Sequence, residues 1–90
     1  HLVLHTAPAE AVDDMIKKLK KNDVTYHIQK LNGNKINLFF GERECIETIK
    51  KFNNKALNKY TPEEDFILGI LLGYDPLKQT KRYLKFKTKA

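Results

Sequence analysis

Three histidines, one cysteine and a run of three acids are the residues of this 90-residue chain with chemistry beyond packing. If Leu2 and Leu4 face the helices, strand alternation turns His1, Val3 and His5 to the opposite side, where His27, Gln29, Asn37 and Phe39 also point. One polar sheet face would then hold every histidine. It could serve as a ligand-binding open face, or its histidines could simply meet solvent or a second subunit. His5 and His27 fall on strands with a third between them, about 9 to 10 Å apart at ordinary strand spacing. No carboxylate points the same way, so a metal site is not expected.

Glu63, Glu64 and Asp65 could bind a cation or move protons. They also occupy the first turn of a helix, where the macrodipole favours negative charge, and that explains them without a ligand. Cys45 is near a helix N-terminus, which can depress a thiol pKa, but it shares an apolar stripe with Ile49 and Phe52 and reads as core. The chain contains no serine, which excludes serine-nucleophile catalysis. Every glycine and proline falls at a turn, a cap or a helix start except Gly69, so no phosphate-cradling loop is left to assign. No nucleophile, base and orienting group can be assembled, and neither an enzyme nor a cofactor is expected.

The clearest functional feature is a charge asymmetry. The chain has 17 Lys and Arg against 11 Asp and Glu, a formal net charge of +6. Up to residue 75 the counts balance at 11 each, and the whole surplus lies beyond Pro76. On a helix, Lys78, Lys81, Arg82, Lys85 and Lys89 fall within an arc of about 100°, with Leu77, Thr80, Tyr83, Leu84 and Phe86 on the other side. Such a stripe can neutralise nucleic-acid phosphates, meet an acidic protein or touch an anionic membrane surface. A plain solvated helix face is the alternative.

The elements that must position these residues are well punctuated. His1 to Thr6 reads as a buried strand, and Val12, Met15, Ile16 and Leu19 mark one face of a helix from about Ala9 to Lys21. Val24, Tyr26 and Ile28 alternate along a second strand, and Ile36, Leu38 and Phe40 along a third, with Asn32-Gly33-Asn34 between them. A two-residue turn would oppose Ile28 to Asn37 and mix the faces. A three-residue loop pairs Ile28 with Leu38 and Tyr26 with Phe40, and is therefore expected. Cys45, Ile46, Ile49 and Phe52 form the stripe of a second helix, closed by Asn53-Asn54. Thr61-Pro62-Glu63-Glu64 is a capping box with Pro at the first helical position. The helix it opens is apolar on all sides, and Gly69 and Gly73 on it suit a close helix crossing, within one subunit or between two. Asp75-Pro76 starts the basic helix.

The order predicts an α/β (α+β) fold: a split β-α-β unit with a β-hairpin, giving a three-stranded sheet with the last strand in the middle, followed by three helices. The first strand is left as a free edge unless something covers it. With the third helix so apolar, a homodimer is expected, with Phe66, Ile67, Ile70 and Leu71 as the dimer contact. Residues 1–90 make a single domain. The chain opens at His1 inside an apolar segment, without Met, and reads as N-terminally incomplete. The longest apolar run, Phe66 to Leu72, is about a third of the roughly 20 residues a membrane span needs. A lone cysteine fits a reducing, cytoplasmic setting.

Residues Leu2 to Tyr83 resemble a family of short bacterial proteins catalogued only as a domain of unknown function, number two thousand and twenty-three in that series. The resemblance rests on Leu2-Val3-Leu4-His5-Thr6, on Lys35-Ile36-Asn37-Leu38-Phe39-Phe40-Gly41, and on the stretch Pro62 to Asp75 with Gln79, Arg82 and Tyr83. The resemblance implies a mixed α/β homodimer and a start some residues before His1, and it carries no activity with it. It also implies genes lying beside flavodoxins, whose acidic surfaces a basic helix would suit. The expectation is a non-enzymatic homodimer that binds a protein partner; the alternatives are nucleic-acid binding through the basic helix and an accessory role to a flavodoxin-like redox carrier.

Overall fold

Short strands and capped helices alternate in the computed structural model, which describes residues 1–52 and 55–88. Strand β1 (Leu2–Pro8) leads through a single 3-10 turn into α1 (Val12–Lys21); β2 (Thr25–Lys30) and β3 (Lys35–Gly41) form a hairpin; α2 (Arg43–Lys50), α3 (Pro62–Leu71) and α4 (Pro76–Thr88) follow. The sheet order is β1-β3-β2, and β3 runs antiparallel to both neighbours. This is the mixed arrangement that the element order predicts.

The hairpin takes the register that keeps the faces apart. Ile28 pairs with Leu38 and Tyr26 with Phe40, and the Leu31 N–H closes the loop on the Lys35 carbonyl at 2.9 Å. Gly33 and Asn34 both adopt positive φ, which Gly and Asn tolerate best. At the far end of β3, Gly41 also has positive φ, and a Cβ there would collide with the His1 backbone.

The two faces of the sheet differ from the sequence expectation at β1. Cross-strand partners share a face, and Leu4 and His27 both pair with Phe39, while Thr6 and Gln29 both pair with Asn37. Leu2, Leu4 and Thr6 therefore lie on the same face as His27, Gln29, Asn37 and Phe39. His5 pairs with Leu38 and lies on the opposite face, exposed. The expected polar face does not exist. Phe39 is 1% exposed, in a core with Leu2, Cys45, Ile46, Ile49, Phe52 and Leu68. The physical reason is that helices cover both sides. Residues of α2 and α3 pack on the Phe39 face, while Met15 and Leu19 of α1 border Leu38 and Phe40 on the other. A strand buried on both faces needs no alternation, and the near-continuous apolar run of β3 is its signature.

Gln29 and Asn37 are buried, and they stay polar by forming a chain. The Thr6 hydroxyl donates to Asn37 Oδ1 at 2.6 Å, Asn37 Nδ2 donates to Gln29 Oε1 at 3.1 Å, and Gln29 Nε2 donates to the Lys55 carbonyl. Three strands and the segment after α2 are thereby tied together. His27 stacks on Phe39 with ring centroids 6.3 Å apart. The expected end of the second helix at Asn53-Asn54 lies outside the described residues.

Candidate functional site

Helices α3 and α4 form a hairpin whose inner and outer sides have different chemistry. The capping box at its start is complete: Thr61 Oγ1 accepts the Glu64 N–H at 3.1 Å, and Glu64 Oε1 accepts the Thr61 N–H at 2.9 Å. A Schellman turn closes α3, with the Gly73 N–H on the Ile70 carbonyl and the Tyr74 N–H on the Gly69 carbonyl. Gly73 is at φ 83°, the left-handed conformation this turn requires. Two residues on, Asp75 caps α4 by accepting the Lys78 N–H at 2.9 Å.

The inner side is held by ion pairs and one close approach. Arg82 makes two hydrogen bonds to Asp65, Nε to Oδ2 at 2.8 Å and Nη2 to Oδ1 at 3.2 Å, and its guanidinium lies 4.5 Å from the Phe86 ring centroid. The Tyr83 hydroxyl and Lys87 Nζ both reach Glu63 Oε2 at 3.0 Å, and Lys55 reaches Glu64 at 2.7 Å. These contacts perturb the groups that make them. Lys87 and the local backbone hold the Glu63 carboxyl below its ordinary value, and Lys55 does the same to Glu64. Hydrogen bonding to Glu63 raises both Tyr83 and Lys87, and Asp65 raises Arg82. The acidic run at the start of α3 is thus the docking site of the chain's own basic helix. Gly69 is the crossing point, since a Cβ there would overlap the Gln79 side chain.

This geometry redistributes the expected basic stripe. Arg82 belongs to the contact between the helices, and Lys89 lies outside the described residues. Lys78, Lys81 and Lys85 are exposed and make no ion pair with a described residue. They fall within an arc of about 60°. Beside them, Leu77 is 63% and Leu84 55% exposed, so the apolar edge of α4 is turned to solvent. Tyr83 and Phe86 turn inward, as does Gln79, which the charge pattern did not single out.

The four expected dimer-contact residues divide as well. Ile67 and Ile70 are exposed, and Ile67 lines one groove with Leu84 of α4. Phe66 is half-buried edge-to-face on Tyr83, 5.6 Å between centroids, and lines a groove of about 440 Å³ with Ile67, Thr80 and Leu84. Leu71 packs against the core instead. The outward pair Leu77 and Leu84 was legible only as an i,i+7 repeat.

Elsewhere the chemistry-bearing residues stay apart. His5 and His27 are on opposite faces of the sheet, and among the described residues no three His, Cys, Asp or Glu side chains could hold a metal ion together. Cys45 is buried in the core. No helix among the described residues is long and apolar enough to cross a membrane.

No curated protein matches the chain. The model of the family described as "Protein of unknown function (DUF2023)" matches residues 1–86, nearly the whole chain and every element above save the last two residues of α4. The three stretches that carry the resemblance form β1, β3 and the α3–α4 hairpin, and the chain belongs to the DUF2023 family.

Proposed function

We propose that this protein is a non-enzymatic binding module of the bacterial cytoplasm that works as a homodimer and recognises an acidic protein partner through α4. One observation carries the reading: the α3–α4 hairpin commits Glu63, Asp65, Arg82 and Lys87 to contacts between its two helices, yet leaves Ile67, Ile70, Leu77 and Leu84 exposed, while Lys78, Lys81 and Lys85 make no ion pair with a described residue. Isolated surface leucines need no explanation, but four exposed large apolar residues on two packed helices, two of them sharing a groove, call for one. A second copy supplies the complementary surface most simply, because two hairpins laid face to face form a four-helix bundle. Lys78, Lys81 and Lys85 then flank that bundle and face outward.

The lysines suit a protein better than a nucleic acid. Arg82, the residue best able to clamp a phosphate with two donors, is already committed to Asp65. An acidic carrier of the flavodoxin type has the required surface charge. The buried Cys45, with no partner to oxidise with, suits a reducing compartment.

The test is binding at low and high salt to an acidic flavodoxin and to a single-stranded oligonucleotide of matched charge. The reading predicts that the protein binds, that salt weakens the complex, and that replacing Lys78, Lys81 and Lys85 together abolishes it. Preference for the oligonucleotide, with a steep salt slope, would move the function to nucleic-acid binding. No binding to either at low salt would leave the lysines as solvent surface.

A further inference from the structure

The loop between β2 and β3 holds two asparagines in opposite situations. Asn34 is secured: its carbonyl accepts the Ala9 N–H at 2.9 Å, its side-chain amide donates to Glu10 Oε2 at 3.1 Å, and the next residue, Lys35, pairs with Pro8 in the sheet. Asn32 is exposed, and its side-chain amide makes no hydrogen bond to a described residue. The N–H of Gly33, the residue that follows it, makes none either. Gly33 is exposed at φ 73°, and a Cβ built there would meet nothing within 4 Å, so no other part of the fold packs against the loop at this point. An asparagine side chain can be attacked by the backbone nitrogen of the next residue. The attack needs that nitrogen free to lose its proton, and a glycine, having no Cβ, crowds the closing ring least. Asn32-Gly33 meets both conditions, and Asn34-Lys35 meets neither.

We infer that Asn32-Gly33 is a site of spontaneous covalent modification in the folded protein, converting to isoaspartate and aspartate with water as the co-reactant while Asn34 stays an amide. The Gly33 nitrogen gives its proton to water and bonds to Asn32 Cγ. The Cγ–Nδ2 bond then breaks, and the amide nitrogen takes up a proton and leaves as ammonia, which closes a five-membered imide. Water adds to one of the two imide carbonyls and opens the ring. Breaking the new Cγ–N bond leaves aspartate; breaking the original peptide C–N bond leaves isoaspartate, with the main chain running through Cγ. The net change consumes one water and releases one ammonia, and nothing is oxidised or reduced. Either product sets a carboxylate in the loop between the exposed Lys30 and Lys35 and lowers the formal charge of +6 by one. Isoaspartate also adds a backbone carbon to the loop whose length sets the Ile28–Leu38 register. This site involves no residue of the α3–α4 hairpin and does not depend on the chain's partner.

The experiment holds the whole folded chain at neutral and at mildly alkaline pH at body temperature and samples it over weeks by mass spectrometry. Trypsin cleaves after Lys30 and Lys35 and releases Leu31-Asn32-Gly33-Asn34-Lys35, so both asparagines fall in one peptide and fragmentation assigns the change. The expected result is a gain of about 1 Da at Asn32 and none at Asn34, faster at the higher pH. Isoaspartate should be the larger product, read by methyl transfer from S-adenosylmethionine by an isoaspartyl methyltransferase. Asn32→Gln should abolish the change, because its ring would have six members and closes far more slowly. Gly33→Asn keeps the loop, since Asn tolerates the left-handed conformation and its side chain has room, but it crowds the attacking nitrogen and should slow the conversion about tenfold. Four results would overturn the inference: no gain at Asn32 in the folded chain, even if denaturant restores it; an equal gain at Asn34; an unchanged rate in Gly33→Asn; or aspartate formed with no isoaspartate at any time, which would mean direct hydrolysis without the ring.

Discussion

Arg82 on α4 grips Asp65 on α3 through two hydrogen bonds, at 2.8 and 3.2 Å, across 17 residues of sequence. This fork fixes the rotation of α4 about its axis and decides which side chains face out. It turns Gln79, Tyr83 and Phe86 inward and leaves Lys78, Lys81 and Lys85 beside Leu77 and Leu84 in solvent. Geometry makes this pair stronger than a typical surface bridge, although partial exposure limits it. A double-mutant cycle with Asp65→Ala and Arg82→Ala should give a coupling of about 1 kcal/mol that shrinks with added salt. A coupling near zero at low salt would mean that packing alone orients α4.

The crossing at Gly69 should be more sensitive than any ion pair. Gly69→Ala places a methyl group where the Gln79 amide lies, and overpacking of that kind costs about 1–3 kcal/mol. Combining Gly69→Ala with Gln79→Ala should restore most of the loss, because Ala is a better helix former than Gly by about 1 kcal/mol. Chemical denaturation of the single and double variants measures both. If the double variant is as unstable as Gly69→Ala alone, the clash lies elsewhere.

The buried chain from Thr6 through Asn37 and Gln29 to Lys55 predicts a large effect at its centre. Asn37→Ala removes two of its links from a site that is 3% exposed, and should cost about 1–3 kcal/mol. Asn37→Leu, of similar size, should be no better, because it leaves the same polar neighbours without their partner. An unchanged denaturation midpoint in both would show that the chain contributes nothing net.

Stability should depend on pH at both ends of the scale. The folded-state carboxyls of Glu63 and Glu64 titrate below their ordinary value of 4.5, so their contribution is present above that pH and is lost as pH falls through the lowered values. Tyr83 and Lys87 titrate above 10.0 and 10.5, so theirs is present below those values and is lost as pH rises through the raised ones. Melting followed across pH should show a plateau between these limits, with an acid limb that flattens in Glu63→Gln and Glu64→Gln together. An acid limb unchanged in that pair would assign it to other carboxylates.

What could be read from the sequence was whatever a short stretch decides by itself. The Ile28–Leu38 register follows because a one-residue slip would set Asn37 opposite Ile28 and mix the two faces. The α3 cap follows from Thr61 and Glu64, and the α2 stripe from Cys45, Ile46, Ile49 and Phe52. The misplaced face of β1 arose because Leu2 and Leu4 look alike whether they join Phe39 or Leu38, and only the coverage of both sheet faces separates the two cases. The orientation of α4 was hidden for a related reason. Its period shows one charged and one apolar side, but the contacts that choose its inner side come from Asp65 and Gly69, on another helix.

The central claim is that the outer face of the α3–α4 hairpin is a contact surface, and the mass of the protein in solution tests it most directly. Light scattering at tens of micromolar should give twice the 10.5 kDa of one chain, and the variant with Ile67→Glu and Leu84→Glu should fall to one chain while keeping its helical and sheet spectrum. A wild-type protein that stays at the mass of a single chain at that concentration would contradict the account.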